Sequence, residues 1–285
     1  MTQHQRPDFI LAGVGKAGTT WIYECLKDHP DVAVPDTDSL NFFDLNYHRG
    51  LSWYQERLPE VDDDDTVLGE ATPGYLIDPF APERIAEYAP DATLLFCLRD
   101  PVDRAFSLWW HGYSDRNWTY EFEEMFDFTP PYQLWVVPGF YAHFLRRFDE
   151  HFDEEQMEIY LFEDMVADNA SFIREIYETI GVRADYTPWP IGQRVNDAHY
   201  QGPNLLKRTR NWVRFDAPEP VGPVLEPFVD ALSSVLLDRS RYEAGVDQEL
   251  RRQLEEVYHD DIVALSSRLD RDLDHWFEQI DPSER

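Results

Sequence analysis

The sequence predicts an α/β fold, a parallel β-sheet with helices on both faces, in a single domain over residues 1–285. Three observations carry this. The chain opens as strand, glycine loop and helix across residues 8–29. The run Ala92 to Leu98 is continuously apolar, as a strand covered on both faces must be. Strand-like and helix-like segments then alternate, the pattern of parallel strands joined by crossover helices.

Taken in order, residues 8–14 read as a short buried strand and Gly15 to Gly18 as a tight turn. Thr19 to His29 follows as a helix, with Ile22, Cys25, Leu26 and His29 at helical spacing, and Pro30 ends it. Val32 to Pro35 reads as a second short strand. Residues 36–61 read as irregular, anchored by Phe42, Phe43, Trp53 and Tyr54. Asp62 to Asp65 reads as a solvated loop, because the spaced ligands and glycine turn of a cation site do not accompany it. Thr66 to Leu68 is a brief strand ended by Gly69-Glu70-Ala71-Thr72-Pro73-Gly74, and Pro82 to Tyr88 is helical. Arg99-Asp100-Pro101 closes the apolar strand and opens a helix with proline in its first turn. A helix over Phe140 to Phe152, a strand over Met157 to Phe162 and a helix over Asn169 to Ile180, closed by Gly181, come next. Residues 183–227 are rich in Pro, Gly and Arg and read as irregular. Val246 to Phe277 reads as one long amphipathic helix or two.

Composition narrows the function. Fifty-six acidic residues against 25 basic give a net charge of −31, and Lys16, Lys27 and Lys207 are the three lysines. Such a surface resists nucleic acid and repels itself unless salt screens it. The expectation is a halophilic protein that works in a salt-loaded cytoplasm. No window approaches the roughly 18 apolar residues of a membrane span, and the start, Met1 to Phe9, has no apolar core of a signal peptide. A cytoplasmic enzyme is expected, at most peripheral to the inner membrane face. Cys25 and Cys97 sit in apolar patterns and read as buried free thiols. His143 and His151 have no pattern of metal ligands around them, and no metal is expected.

Two segments carry the chemistry. In Gly13-Val14-Gly15-Lys16-Ala17-Gly18-Thr19-Thr20, glycines let backbone amides approach a phosphate at a helix start, while Lys16 adds a charge and the threonines add hydroxyls. The spacing is not that of a Walker A loop, where lysine directly precedes Ser or Thr. In Leu98-Arg99-Asp100-Pro101, Arg99 stands at the carboxyl end of a buried strand, where open α/β sheets bind ligands; Ser107 follows eight residues later. An arginine fork and a serine hydroxyl suit a second phosphate.

As a pair, these segments resemble the 5′-phosphosulfate loop and the 3′-phosphate site of sulfotransferases that use 3′-phosphoadenosine 5′-phosphosulfate (PAPS). The resemblance continues in His29-Pro30-Asp31-Val32, Phe42-Phe43-Asp44, Trp53-Tyr54, Leu161-Phe162-Glu163-Asp164-Met165 and the ending around His275-Trp276, and so covers nearly the whole chain. It implies a P-loop-like sheet. It also implies PAPS bound by Lys16, Ala17, Gly18, Thr19, Thr20, Arg99 and Ser107, leaving the product 3′-phosphoadenosine 5′-phosphate (PAP).

Leu68-Gly69-Glu70-Ala71-Thr72-Pro73-Gly74-Tyr75 resembles the segment that carries the catalytic glutamate of glycan sulfotransferases. Glu70 then becomes the general base that an acceptor hydroxyl needs, and Lys16 offsets charge on the leaving nucleotide. The bland alternative for Glu70 is a loop carboxylate or helix cap. Two departures bear on the acceptor: Ala71 follows Glu70 where glycan enzymes commonly have Lys, and Ser39-Leu40-Asn41 precedes the Phe pair where they often have basic residues. A neutral or mildly acidic sugar, or a glycolipid, is therefore expected rather than a sulfated polyanion. In the basic stretch Gln193 to Arg214, Arg194 or the 207–210 cluster caps the nucleotide, or these arginines pair with the acidic surface. Trp109, Trp110 and His111 read as core or cleft wall. The competing functions are a P-loop kinase-like phosphotransferase, which would need Mg²⁺, and a non-catalytic anion- or glycan-binding protein.

Overall fold

The computed structural model describes residues 5–61, 65–114, 120–192 and 245–277. These fall into two compact units. One holds the described residues up to Asp100, 140–192 and 258–277; the other holds 101–114, 120–139 and 245–257.

The first unit is built on five strands: β1 (Phe9–Gly13), β2 (Val32–Ala33), β3 (Val67–Ala71), β4 (Thr93–Leu98) and β5 (Met157–Leu161). Their order is β2-β3-β1-β4-β5, and every pairing is parallel. All of β1 and the last five residues of β4 are buried, so side chains on both faces of the sheet centre are covered. The helices of this unit are α1 (Thr19–Asp28), α2 (Leu51–Gln55), α3 (Ala81–Tyr88), α6 (Tyr141–Asp149), α7 (Phe162–Ala167) and α8 (Asn169–Thr179). This is the expected parallel sheet flanked by helices.

Strand order places a topological switch at β1. The chain leaves β1 toward β2 and β3 on one side, then crosses to β4 on the other. Open α/β sheets bind ligands beyond the carboxyl ends of strands at such a point. Side-chain size fixes the register of β3 on β1. Phe9 pairs with Gly69, and a Cβ on Gly69 would lie 2.1 Å from the Phe9 ring.

Three expectations change. The strand expected to stop at Leu68 runs on to Ala71, so Glu70 is a strand residue and not a loop residue beyond it. The 36–61 segment is not irregular throughout: it coils into a π-helical turn over Phe42–Asn46, a 3₁₀ turn over Tyr47–Arg49, and α2. Aromatic packing of Phe42, Phe43 and Tyr54 outweighs their weak helix propensity. The C-terminal helix α9 (Gln248–Leu269) ends at Asp270, whose φ of 47° is left-handed, and a 3₁₀ turn over Asp274–Trp276 follows.

The segment after α8 is tied to α1. His29 is buried; its Nδ1 accepts the Asp31 amide at 3.1 Å and its Nε2 faces the Arg183 carbonyl at 3.0 Å. Asp28 accepts from the Tyr186 hydroxyl and the Trp189 amide, both at 2.9 Å. Cys25 and Cys97 are buried free thiols, and burial pushes both pKa values up.

In the second unit, α4 (Pro101–Ser114) packs with α5 (Thr129–Pro131) and the helical turns over 122–126 and 132–139. Trp109 and Trp110 are buried core here, and the Trp109 Nε1–H donates to the Tyr120 carbonyl at 3.0 Å. Among the described residues, no helix is long and apolar enough to cross a membrane.

Candidate active site

The loop after β1 is shaped to leave amides free for a ligand. Val14 donates its amide to the Cys97 carbonyl of β4 at 2.9 Å, which pins the loop to the sheet. Lys16 (φ 76°) and Gly18 (φ 82°) are left-handed and turn the chain into α1. The intrahelical ladder starts with Ile22 donating to Gly18, so the amides of Thr19, Thr20 and Trp21 have no acceptor within the helix. No side chain caps this end, and its first turn holds no acidic residue. The positive end of the helix dipole is therefore open to an anion.

Gly18 is required twice over. Its φ disfavours a side chain, and a Cβ there would lie 2.7 Å from Met165 and 3.2 Å from Phe162. Both belong to α7. Ala17 and Thr19 are buried, while Lys16 and Thr20 are half-buried.

Arg99, at the carboxyl end of β4, reaches this loop. Its Nη1 donates to the Lys16 carbonyl at 3.3 Å, and its guanidinium lies over the Phe162 ring at 4.7 Å. The Arg99 carbonyl accepts the Tyr141 hydroxyl at 2.8 Å. The structure thus brings the Lys16 and Arg99 segments together. Ser107 belongs to the second unit, where it is buried on α4. Arg194 and the basic 207–210 cluster lie outside the described residues.

Glu70 pairs with Ile10 of β1, the strand that runs into the loop. Its side chain is completely buried, and neither carboxylate oxygen makes a hydrogen bond of normal geometry. The hydroxyls of Tyr75, Tyr54 and Thr72 face it closely enough to favour the ionised form, whereas Asp44 disfavours it. Burial outweighs the hydroxyls and pushes the carboxyl up to about 8. The bland reading of a loop carboxylate or helix cap does not fit a buried strand residue.

Aromatic side chains build the walls. Phe42 stacks on Tyr54 with centroids 4.5 Å apart, and Phe43 stands edge-on to Tyr54 at 5.2 Å and to Tyr75 at 5.5 Å. Arg84 of α3 holds the turn by donating to the Phe43 carbonyl at 2.6 Å. Sequence reading marked Phe42, Phe43 and Tyr54 as anchors, and missed that Asp44 and the Tyr54 hydroxyl face Glu70. A tyrosine in a run of apolar anchors carries no sign of where its hydroxyl points. The floor that Phe162 and Met165 give to the loop was equally hidden, because it joins segments about 145 residues apart.

A parallel sheet with an uncapped helix start and an arginine at its switch point defines a P-loop-like α/β protein. More narrowly, the chain belongs to the sulfotransferase domain family, whose model matches residues 6–199. Over 185 residues it is 33% identical to heparan sulfate glucosamine 3-O-sulfotransferase 3A1 of Mus musculus, covering 63% of this chain and 47% of that protein. It is 31% identical over 198 residues to the bifunctional heparan sulfate N-deacetylase/N-sulfotransferase 3 of Homo sapiens, covering 63% of this chain and 23% of that protein. The chain thus spans less than half the length of these curated relatives. A sulfotransferase from Alicyclobacillus acidocaldarius superposes with a TM-score of 0.70 at 23% identity, covering 95% of this chain and 99% of that one, a likeness of fold. Mouse sulfotransferase SULT7A1, solved with PAP, gives 0.52 at 17% identity, with 93% and 89% covered. Among the described residues, no three His, Cys, Asp or Glu side chains are grouped to hold a metal ion.

Proposed function

We propose that this protein transfers the sulfuryl group of PAPS to a hydroxyl of a carbohydrate or glycolipid, with Glu70 as general base. The observation that carries the reading is the pairing of Glu70, completely buried and with no hydrogen bond of normal geometry, with the strand that feeds the open loop. A non-catalytic binding protein has no need of a buried carboxyl that costs stability.

In this reading Glu70 takes the proton of the acceptor hydroxyl. The hydroxyl oxygen forms the new S–O bond while the bridging S–O bond breaks, and that electron pair leaves with the 5′-phosphate of PAP. Lys16, Ala17, Gly18, Thr19 and Thr20 hold that phosphate, and their charge and amides offset what develops on it. Arg99 binds the 3′-phosphate, and Ser107 keeps the role the motif implies. The proton affinity of Glu70 suits it to a hydroxyl, because a base works best with a pKa near the operating pH.

The relatives' names point to heparan glucosamine, yet two features favour a neutral or mildly acidic sugar here. Ala71 supplies no charge beside Glu70, and Asp44 adds a carboxyl that would repel a polyanion.

The test has two steps. Calorimetry with PAP, and ADP as control, in about 2 M salt to screen the acidic surface, should give tight PAP and weak ADP binding. Incubation with PAPS and a panel of neutral and sulfated oligosaccharides should then give sulfated product from the neutral ones, lost in Glu70→Gln with PAP binding intact. Equal ADP binding would move the reading to a kinase. Undiminished turnover in Glu70→Gln would remove the base.

A further inference from the structure

Glu70 and Tyr54 together leave three buried oxygens without a hydrogen-bond partner: both carboxylate oxygens and the Tyr54 hydroxyl. Buried polar atoms are nearly always satisfied, so three in one pocket call for a physical account. The groups that face Glu70 come from three elements. They are Tyr54 of α2, Asp44 of the Phe42–Asn46 turn, and Thr72 with Tyr75 from the segment after β3. Tyr88 of α3 lies behind Tyr54, with centroids 5.5 Å apart. Among these groups the hydroxyls are the donors able to solvate a buried anion.

The two phenols differ in a way that assigns their hydrogens. The Tyr75 oxygen accepts the amide hydrogens of Phe42 at 3.0 Å and Phe43 at 3.3 Å, so both its lone pairs are engaged. Its own hydrogen must go to an acceptor, and Glu70 is beside it. Two amides donating to the phenol also strengthen it as a donor. Thr72 Oγ1 likewise accepts an amide, that of Asn41 at 3.3 Å. The Tyr54 ring is fixed between Phe42 and Phe43, which sets the direction of its hydroxyl.

We propose that Tyr54 and Tyr75 are positioning residues for Glu70: their hydroxyls donate to its carboxylate, ease its ionisation against burial and fix which oxygen faces the acceptor. The inference rests on the reading of Glu70 as the base. Asp44 opposes the hydroxyls by repulsion, so the basicity of Glu70 is set by the Tyr54, Tyr75 and Thr72 hydroxyls against one neighbouring carboxyl and by burial.

The experiment follows the carbonyl stretch of the protonated Glu70 carboxyl by infrared difference spectroscopy across pH, with Glu70→Gln as the blank that identifies the band. It needs no acceptor. Tyr54→Phe and Tyr75→Phe should each raise the titration midpoint by about one pH unit, the effect of losing one hydrogen bond to the charged form. PAP affinity should be unchanged. Tyr54→Phe removes only a hydroxyl and keeps the ring packed between Phe42 and Phe43, so it should still fold, and a thermal melt checks this. A midpoint equal to wild type in either variant overturns the assignment of that tyrosine. Undiminished turnover in Glu70→Gln would sink the base reading instead, whatever the midpoints do.

Discussion

The guanidinium of Arg99 lies 4.7 Å above the ring of Phe162, and the same ring closes the space beside Gly18. One side chain of α7 therefore supports both segments assigned to the nucleotide. The C-terminal segment grips α7 in turn. Arg271 makes a forked ion pair with Asp164, and the Trp276 indole and His275 ring both reach Glu163 at 2.8 Å. The loop after β1 is thus backed, through α7, by residues more than 100 positions away.

Arg99→Ala should weaken PAP binding about ten- to a hundredfold, the worth of a charge-assisted hydrogen bond to a phosphate. Binding of adenosine 5′-phosphosulfate, which lacks the 3′-phosphate, should change far less. Calorimetry with both ligands checks this, and equal losses would place Arg99 elsewhere in the site.

Gly18→Ala should lose both stability and PAP affinity. The left-handed φ costs a side chain roughly 1 kcal/mol, and the Cβ also presses on Met165. Met165→Ala in the same chain removes the contact but not the φ penalty. The double variant should therefore recover part of the melting temperature, and a melt identical to Gly18→Ala alone would show that the contact does not matter.

Much of this was legible in the sequence, for physical reasons. The strands β1 and β4 are buried on both faces, so their apolar runs are unbroken and easy to read. The loop announced itself through Gly13, Gly15, Lys16 and Gly18, of which Gly18 answers a local backbone demand with its left-handed φ of 82°. Glu70 was legible as a candidate and not as a buried strand residue. A single carboxylate and Gly69 look like a strand end, and only the Phe9 ring packed over Gly69 explains why the strand continues. The Phe42–Gln55 turns were illegible because ring packing, rather than periodicity, folds them. For Arg194 the structure adds nothing to the motif, since it lies outside the described residues.

Salt should stabilise the protein. With 56 acidic residues and 25 basic, self-repulsion exceeds what ion pairs such as Arg268–Asp149 recover. Screening at molar salt weakens both, and the larger repulsive part dominates. The melting temperature should therefore rise steadily from low salt to about 3 M KCl, where the Debye length is below about 3 Å. A melt independent of salt, or falling with it, would contradict the halophilic expectation.

The pH dependence of Glu70 sets activity against stability. Its carboxyl acts as a base only when ionised, so kcat/KM should rise with pH and level off above about 8. Stability runs the other way. The folded carboxyl holds its proton up to about 8, whereas the unfolded one releases it near 4.5. Between these values the folded state binds more protons than the unfolded state, and stability falls as pH rises. The contribution is intact below the unfolded value and is lost as pH climbs through the folded one. Glu70→Gln does not titrate, so its advantage over wild type should grow across that window to the order of 3–5 kcal/mol at pH 8.5. Chemical denaturation of both proteins at pH 5 and pH 8.5 measures it. A variant that gains stability with pH relative to wild type while losing turnover is the signature of a buried base. Equal stability at both pH values would show that the carboxyl is solvated in the folded protein and that its proton affinity is ordinary.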